Sequence, residues 1–167
     1  DGLIQRAEIK KGMIYFSIFM NVHNVHVNRS PFDGRIISIK HKSGGYLPAF
    51  SKDSDKNERL LTKIETSIGV MKVVQIAGVL VRRIVSYVKP SSEVEKGERI
   101  GLIHFGSRVD LSFVSAGIDI SVKKGDKVLA GQKLANYTPL SSLSTSEKIF
   151  EVPKRMFSKL QASQSED

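Results

Sequence analysis

Val94-Glu-Lys-Gly97-Glu-Arg-Ile100-Gly101 returns later in the chain as Val128-Leu-Ala-Gly131-Gln-Lys-Leu134-Ala135. Both segments run valine, two residues, glycine, a polar residue, one further residue, an aliphatic and a small residue. Each follows a Val-Lys pair, Val88-Lys89 in the first case and Val122-Lys123 in the second. A glycine turn between short apolar runs, used twice, points to internally repeated β structure. Pro31 to Lys40 is a weaker third relative. The repeats predict a mostly β fold, a small sandwich or barrel of pseudo-repeated hairpins.

Outward from these segments, the chain alternates strand-like runs with turn signals. Leu3 to Lys10 alternates loosely and Lys11-Gly12 is a turn. Met13 to Met20 is a buried strand by its length and its aromatic and β-branched content. Phe32-Asp33-Gly34-Arg35 reads as a hairpin with Asp-Gly at its centre, followed by a strand over Ile36 to Lys40. A polar excursion runs from Gly44 to Arg59, and loops of this kind often carry function. Leu60 to Ser67, Gly69 to Ile76 and Val79 to Val88 read as further strands, with Ala77-Gly78 as a bend. Beyond Ala135 the pattern stops. Asn136 to Ser146 is a serine-rich linker, and a short helix begins at Pro153, with Met156, Phe157 and Leu160 on one side. The domain is therefore expected over residues 1–135, with 136–167 as linker and tail.

A chain of 167 residues suits one domain with a proper core. With no cysteine, disulfides, zinc–thiolate sites and cysteine nucleophiles are excluded. The net charge of +9 fits an anionic partner. Aromatics are not interleaved with the basic residues as base stacking would require, so nucleic acid is not expected as that partner. No apolar run reaches the ~18 residues of a membrane helix. The chain opens at Asp1 without methionine and reads as a fragment or processed product.

Two places carry candidate chemistry. His23 and His26 lie three apart in Asn21-Val-His-Asn-Val-His26-Val-Asn28-Arg29. They would share a face on a helical turn and point oppositely on a flat strand. They could be hydrogen-bonded loop histidines or part of a metal site, although His41 and His104 add no ligand spacing. They could also be catalytic, given a nucleophile and a carboxylate elsewhere; Ser107 and Asp1 could supply these. Ser107 stands in Ile100-Gly-Leu-Ile-His-Phe-Gly106-Ser107-Arg108-Val-Asp110, where an apolar run ends in Gly-Ser.

The joint order of several short pieces makes the chain resemble the phosphatidylserine decarboxylase proenzymes in their compact form. These are Asp1-Gly2, Ser17-Ile-Phe-Met20, Asn24 to Arg29, Asn57-Glu58-Arg59, Gln75-Ile-Ala-Gly78, Arg82-Arg-Ile-Val85 and Phe105 to Asp110. The resemblance implies a self-cleaving carboxy-lyase that splits between Gly106 and Ser107. Ser107 becomes a covalent pyruvoyl cofactor, His26 is the processing base, Asp1 orients it, and His23 assists decarboxylation. A serine hydroxyl needs such a base to attack the Gly106 carbonyl, and a carboxylate to fix the ring tautomer. The pyruvoyl ketone then serves as an electron sink for the departing carboxyl carbon.

The substrate implied is a serine-head-group phospholipid in an anionic membrane, converted to its ethanolamine form. Arg29, Arg59, Arg82, Arg83 and Arg108 are candidates for its phosphate. The resemblance further implies that the two fragments stay together, with a homo-oligomer compatible with it, peripherally bound on the cytoplasmic side of the membrane. No metal is expected. The competing reading is a carrier or lipid-binding module without catalysis. The glycine turns also resemble those of biotinyl and lipoyl domains, with Met71-Lys72 as the attachment point, although a carrier lysine belongs at a hairpin tip.

Overall fold

A computed structural model describes residues 1–79, 83–103 and 106–138. The fold is mostly β, and its strands pair antiparallel in three sheets. The large sheet has eight strands: β1 (Gly2–Lys10), β2 (Met13–Met20), β4 (Gly34–Lys42), β5 (Arg59–Thr66), β6 (Gly69–Ile76), β8 (Glu93–Val94), β10 (Ser107–Val114) and β12 (Lys127–Val128). A second sheet joins β3 (Val27–Arg29), β9 (Arg99–Ile103) and β7 (Ile84–Ser86). A third pairs β11 (Ile118–Ile120) with β13 (Ala135–Tyr137).

The large sheet runs β12-β1-β2-β10-β6-β5-β4-β8. Its ends, β12 and β8, remain edges, so the arrangement is an open sandwich rather than a closed barrel. Alternation sets the layers. Along β10, Val109, Leu111 and Phe113 face inward and pack with Ile14, Phe16, Ile64 and Met71. Ile100, Ile103 and Ile118 from the small sheets complete that core.

The strand order is a palindrome, and the register shows why. Gly2 sits opposite Val128, and Gly34 opposite Val94. Both β1 and β4 carry a bulge at the same step, after Ile4 and after Ile36. Ile4 N–H donates to Asp126 O and Ile36 N–H to Ser92 O, each at 2.9 Å. Ala130 N–H donates to Asp1 Oδ1 and Lys96 N–H to Asp33 Oδ1, each at 2.7 Å. The two halves are thus one unit used twice, related by a pseudo-twofold axis through the β10–β6 pair at Leu111 and Val73. Glycine is required at both strand starts. A Cβ on Gly2 would come within 2.5 Å of Phe19 O, and one on Gly34 within 2.2 Å of Glu65 O.

Several expectations are corrected by this frame. Asp33-Gly34 is not a hairpin turn; Gly34 begins β4, as Gly2 begins β1. Pro31 to Lys40 is therefore related to the start of the chain, not to the glycine turns. The expected strand from Val79 to Val88 contracts to β7 among the described residues. Lys72 lies within β6, opposite Lys63 and Ser112, while the β5–β6 turn falls at Ser67-Ile68. This removes the hairpin-tip lysine of the carrier reading. The expected C-terminal helix, most of the serine-rich linker and the tail lie outside the described residues.

Candidate active site

Ser107 is the first residue of β10, and its ladder partner is Met20, the last residue of β2. On the other side, Val27 at the start of β3 pairs with Leu102 of β9, and Ile103 N–H donates to His26 O at 3.2 Å. The connectors 21–26 and 104–106 therefore begin and end beside each other. One carries both histidines and the other leads into the Gly106–Ser107 bond. The register alone brings His26 and Ser107 to one end of the large sheet.

The histidine connector is shaped by its asparagines. Asn24 N–H donates to Asn21 O (2.9 Å), and Asn24 Oδ1 accepts from Asn21 N–H (2.8 Å). Such side-chain closure is why asparagine favours turns. Asn24 O then lies 2.7 Å from His26 Nδ1. A carbonyl only accepts, so Nδ1 carries the proton and Nε2 is the nitrogen able to receive one. His26 is buried, whereas His23 is exposed. His23 lines a cleft of about 390 Å³ with Leu3, Phe19, Lys127 and Leu129.

Ser107 is fully buried, and its Oγ has no hydrogen-bond partner among the described residues. A buried hydroxyl without a partner is costly and uncommon, and so invites a functional explanation. Gly106 precedes it at φ +71°, a left-handed conformation that a side chain would strain, with open space where a Cβ would stand. The residues thus suit conversion of Ser107 into the implied cofactor: an unengaged hydroxyl directly follows an unhindered glycine carbonyl.

Arg108 points to the opposite face of β10 and is nearly buried. It donates to Ser54 Oγ (2.6 Å), to Ala49 O (3.4 Å) and to Asp110 Oδ2 (2.9 Å), and it also pairs with Asp55. Asp110 in turn accepts from the Ser17 hydroxyl. Burial pushes the Asp110 carboxyl above its usual range, against the pull of Arg108. Burial acts to lower the Arg108 pKa, but the attraction of Asp110 and Asp55 outweighs it and the net shift is upward.

The other sequence candidates are more scattered. Asp1 accepts from Ala130 N–H and holds the 128–131 turn, and Asn24 O is one hydrogen-bond partner of the His26 ring. Arg29 is exposed and donates to Gly97 O at 2.7 Å. Arg59 opens β5, and Arg83 is exposed just before β7. Arg82 lies outside the described residues. No third metal-ligating side chain joins the histidine pair among the described residues.

Three contributors carried no role in the sequence reading. Gln75 Nε2 donates to Asn28 Oδ1 at 2.7 Å, a buried bond that joins β6 to β3 beside the site. Lys127 was hidden in a turn repeat. The available signal for Gln75 and Asn28 was a polar residue at an inward strand position.

The fold and this strand end define a class: a duplicated β sandwich with a buried serine and a histidine connector held at one end of its large sheet. The family model described as phosphatidylserine decarboxylase matches residues 2–136. The chain belongs to that family.

It is 58% identical over 115 residues to the putative archaetidylserine decarboxylase proenzyme of Methanococcoides burtonii, covering 69% of this chain and 55% of that protein. It is 48% identical over 133 residues to the phosphatidylserine decarboxylase proenzyme of Thermobifida fusca, covering 79% of this chain and 61% of the relative. The corresponding archaeal protein of Methanosarcina mazei is 52% identical over 117 residues, with 70% and 56% covered. The chain thus spans little more than half the length of these relatives. No solved structure matches it.

Proposed function

We propose that this chain forms the catalytic body of a self-cleaving decarboxylase acting on a serine-head-group phospholipid. The observation that carries the reading is the buried Ser107 hydroxyl, without a partner among the described residues, next to a left-handed glycine and bracketed by the histidine connector.

In the first step Ser107 Oγ attacks the Gly106 carbonyl carbon while His26 Nε2 takes the hydroxyl proton. The Gly106–Ser107 amide becomes an ester, and the Ser107 nitrogen becomes an amine. Loss of the Ser107 α-proton then expels the Gly106 carboxylate and leaves dehydroalanine. Its imine tautomer is hydrolysed, releasing ammonia and leaving a pyruvoyl group on the new amino terminus. That group supplies a ketone that condenses with the substrate amine and accepts the electron pair left by carbon dioxide. In this reading His23, which lines the open cleft, returns one proton to the substrate carbon. Lys127 in the same cleft provides a cation for the lipid phosphate.

The architecture supports retention of both fragments. β10 would begin the smaller fragment, yet it is hydrogen-bonded to β2 on one side and β6 on the other, both from the larger fragment. Cleavage at 106–107 would leave those ladders in place.

Mass spectrometry under denaturing conditions tests the reading. The wild-type chain should give two masses that meet at the Gly106–Ser107 bond, the smaller with a blocked amino terminus. Ser107→Ala should give one intact mass and no decarboxylation. An uncleaved wild-type chain, or a cleaved Ser107→Ala chain, refutes it; an intact chain carrying an attached biotinyl or lipoyl group would establish the carrier reading instead.

A further inference from the structure

We propose that the strand end carrying His23 is a docking face for the headgroup layer of an anionic bilayer. The inference rests on the reading that the substrate is a phospholipid, but its evidence is the pseudo-twofold. That symmetry presents the same backbone frame at both ends of the large sheet, so each end serves as a control for the other.

At the His23 end the frame displays Leu3 on β1, Phe19 on β2 and Leu129 in the turn after β12. At the far end the equivalent positions are Arg35, Glu65 and Glu95. Leu129 is 71% exposed and Leu3 is 38% exposed. Phe50, from the polar excursion, sits edge-on to Phe19 at 5.8 Å between ring centroids and is 65% exposed. Val25, between the two histidines, is also exposed. A fold that accepts charge at one end shows apolar side chains at the other, so the frame does not require them. Clustered exposed apolar side chains mark an interaction surface.

Charge selects the partner. Lys127 lies in the cleft between Leu3 and Leu129, and its equivalent at the far end is Glu93, which pairs with Arg35. The apolar end thus carries an added cation where the other end carries an anion, on a chain of net charge +9. Apolar side chains flanked by a lysine suit insertion among anionic headgroups, where the apolar residues enter the acyl boundary and the ammonium stays outside. The cleft that holds His23 opens between these residues, so docking there brings a lipid headgroup to the site without extracting the lipid.

The chain has no tryptophan, so one introduced tryptophan reports its own environment. In a Ser107→Ala background, which keeps the chain in one piece, Leu129→Trp and Glu95→Trp occupy equivalent positions of the two ends. With vesicles of phosphatidylcholine and phosphatidylglycerol, the Leu129→Trp emission should shift to the blue and the Glu95→Trp emission should not. Exchanging the far-end residues into the face, as Leu3→Arg with Leu129→Glu, should weaken vesicle sedimentation by roughly 10-fold or more, from the lost apolar burial.

Shifts at both positions, at neither, or at Glu95→Trp alone overturn the proposal, as does undiminished sedimentation of the exchanged chain. A Leu129→Trp emission already blue without vesicles, and unchanged by them, shows that another part of the protein covers the face and also overturns it. Because these readouts need no cleavage, they remain valid if the Ser107 chemistry fails. If the chain cleaves and decarboxylates while these shifts are absent, only the docking face is lost.

Discussion

Replacing Arg108 with methionine should destabilise the chain by removing the cation from a polar network directly behind the proposed cleavage site. The change keeps much of the apolar stem but leaves Asp110 without a positive partner. Removing one partner of a buried ion pair typically costs about 3–5 kcal/mol. Two features of the site place the value at the lower end. The Asp55 side chain is 74% exposed, so its pairing contributes at most about 1 kcal/mol. The Asp110 side chain is 29% exposed, so water relieves part of the loss. A cost of about 3 kcal/mol corresponds to a fall in Tm of roughly 6–12 °C for a domain of this size.

The pH dependence fixes the cause. Burial already raises the Asp110 carboxyl above its ordinary value of 3.8, and loss of Arg108 removes the attraction opposing that rise. A carboxyl with a raised folded pKa favours the folded state fully below its unfolded value and loses that contribution as pH climbs through the folded value. The deficit of Arg108→Met should therefore shrink as pH falls from 7 toward 4. Thermal melts in the uncleaved Ser107→Ala background read this without interference from processing. A Tm within about 2 °C of the parent at pH 7, or a deficit that grows on acidification, would refute the account.

Further tests separate the remaining roles. His26→Ala should slow self-cleavage by ~10²–10⁴, followed as intact mass over time; His23→Ala should still cleave but turn over more slowly by a similar factor, and the reverse pattern would exchange the two assignments. Glu58 accepts from the Tyr46 hydroxyl at 2.6 Å and from His41 at 3.0 Å. The Tyr46 bond holds its carboxyl below the ordinary 4.5 against burial, with help from His41. Its stabilisation is therefore present above pH 4.5 and lost as pH falls through the lower folded value, so Glu58→Gln should flatten that part of an acid-denaturation curve. Asp1→Ala and Asp33→Ala remove equivalent turn bonds and should each cost roughly 0.5–2 kcal/mol, by analogy with helix-cap deletions, in chemical denaturation. Only Asp1→Ala should slow cleavage, because only the 128–131 turn borders the site.

Much of the fold was legible because the glycine turns repeat and the strands are rich in β-branched residues. The symmetry itself was not, since its strongest partners share few side chains. Gly2 and Gly34 match because both lie against a neighbouring strand's carbonyl, and the surrounding β1 and β4 sequences otherwise diverge. A short Asp-Gly signal fits a hairpin tip as well as a strand start, and only pairing with Val94 and Val128 decides between them. The network of Ser17, Asp55, Arg108 and Asp110 was invisible for another reason. Each is an ordinary polar residue in sequence, and they meet only because the polar excursion folds over the outer face of β10.

The duplication also explains why the candidate site occurs at one end alone. Each half supplies a closing turn, a bulged strand and an aspartate that caps the turn, and these are common to both ends. The His23 end alone receives the connector from β2 to β3, and opposite it the connector from β9 to β10. Those crossings join the large sheet to the three-stranded sheet, so they bring peptide from two layers together with the ladder fixed on either side. A left-handed Gly106 and a Ser107 hydroxyl without a partner among the described residues are held there, with strand pairing to β2 from Ser107 onward and to β6 from Arg108. At the other end of β2 and β10, the hairpin turn at Lys11-Gly12 and the segment after Val114 meet through Ser115, whose N–H and hydroxyl both donate to Gly12 O at 3.0 Å. The Ser115 hydroxyl is thus engaged, unlike that of Ser107 among the described residues. What differs between the ends is the link between equivalent strands: β5 runs into β6 through the short turn at Ser67-Ile68, whereas the end of β2 and the start of β10 are separated by the connectors that carry the candidate residues.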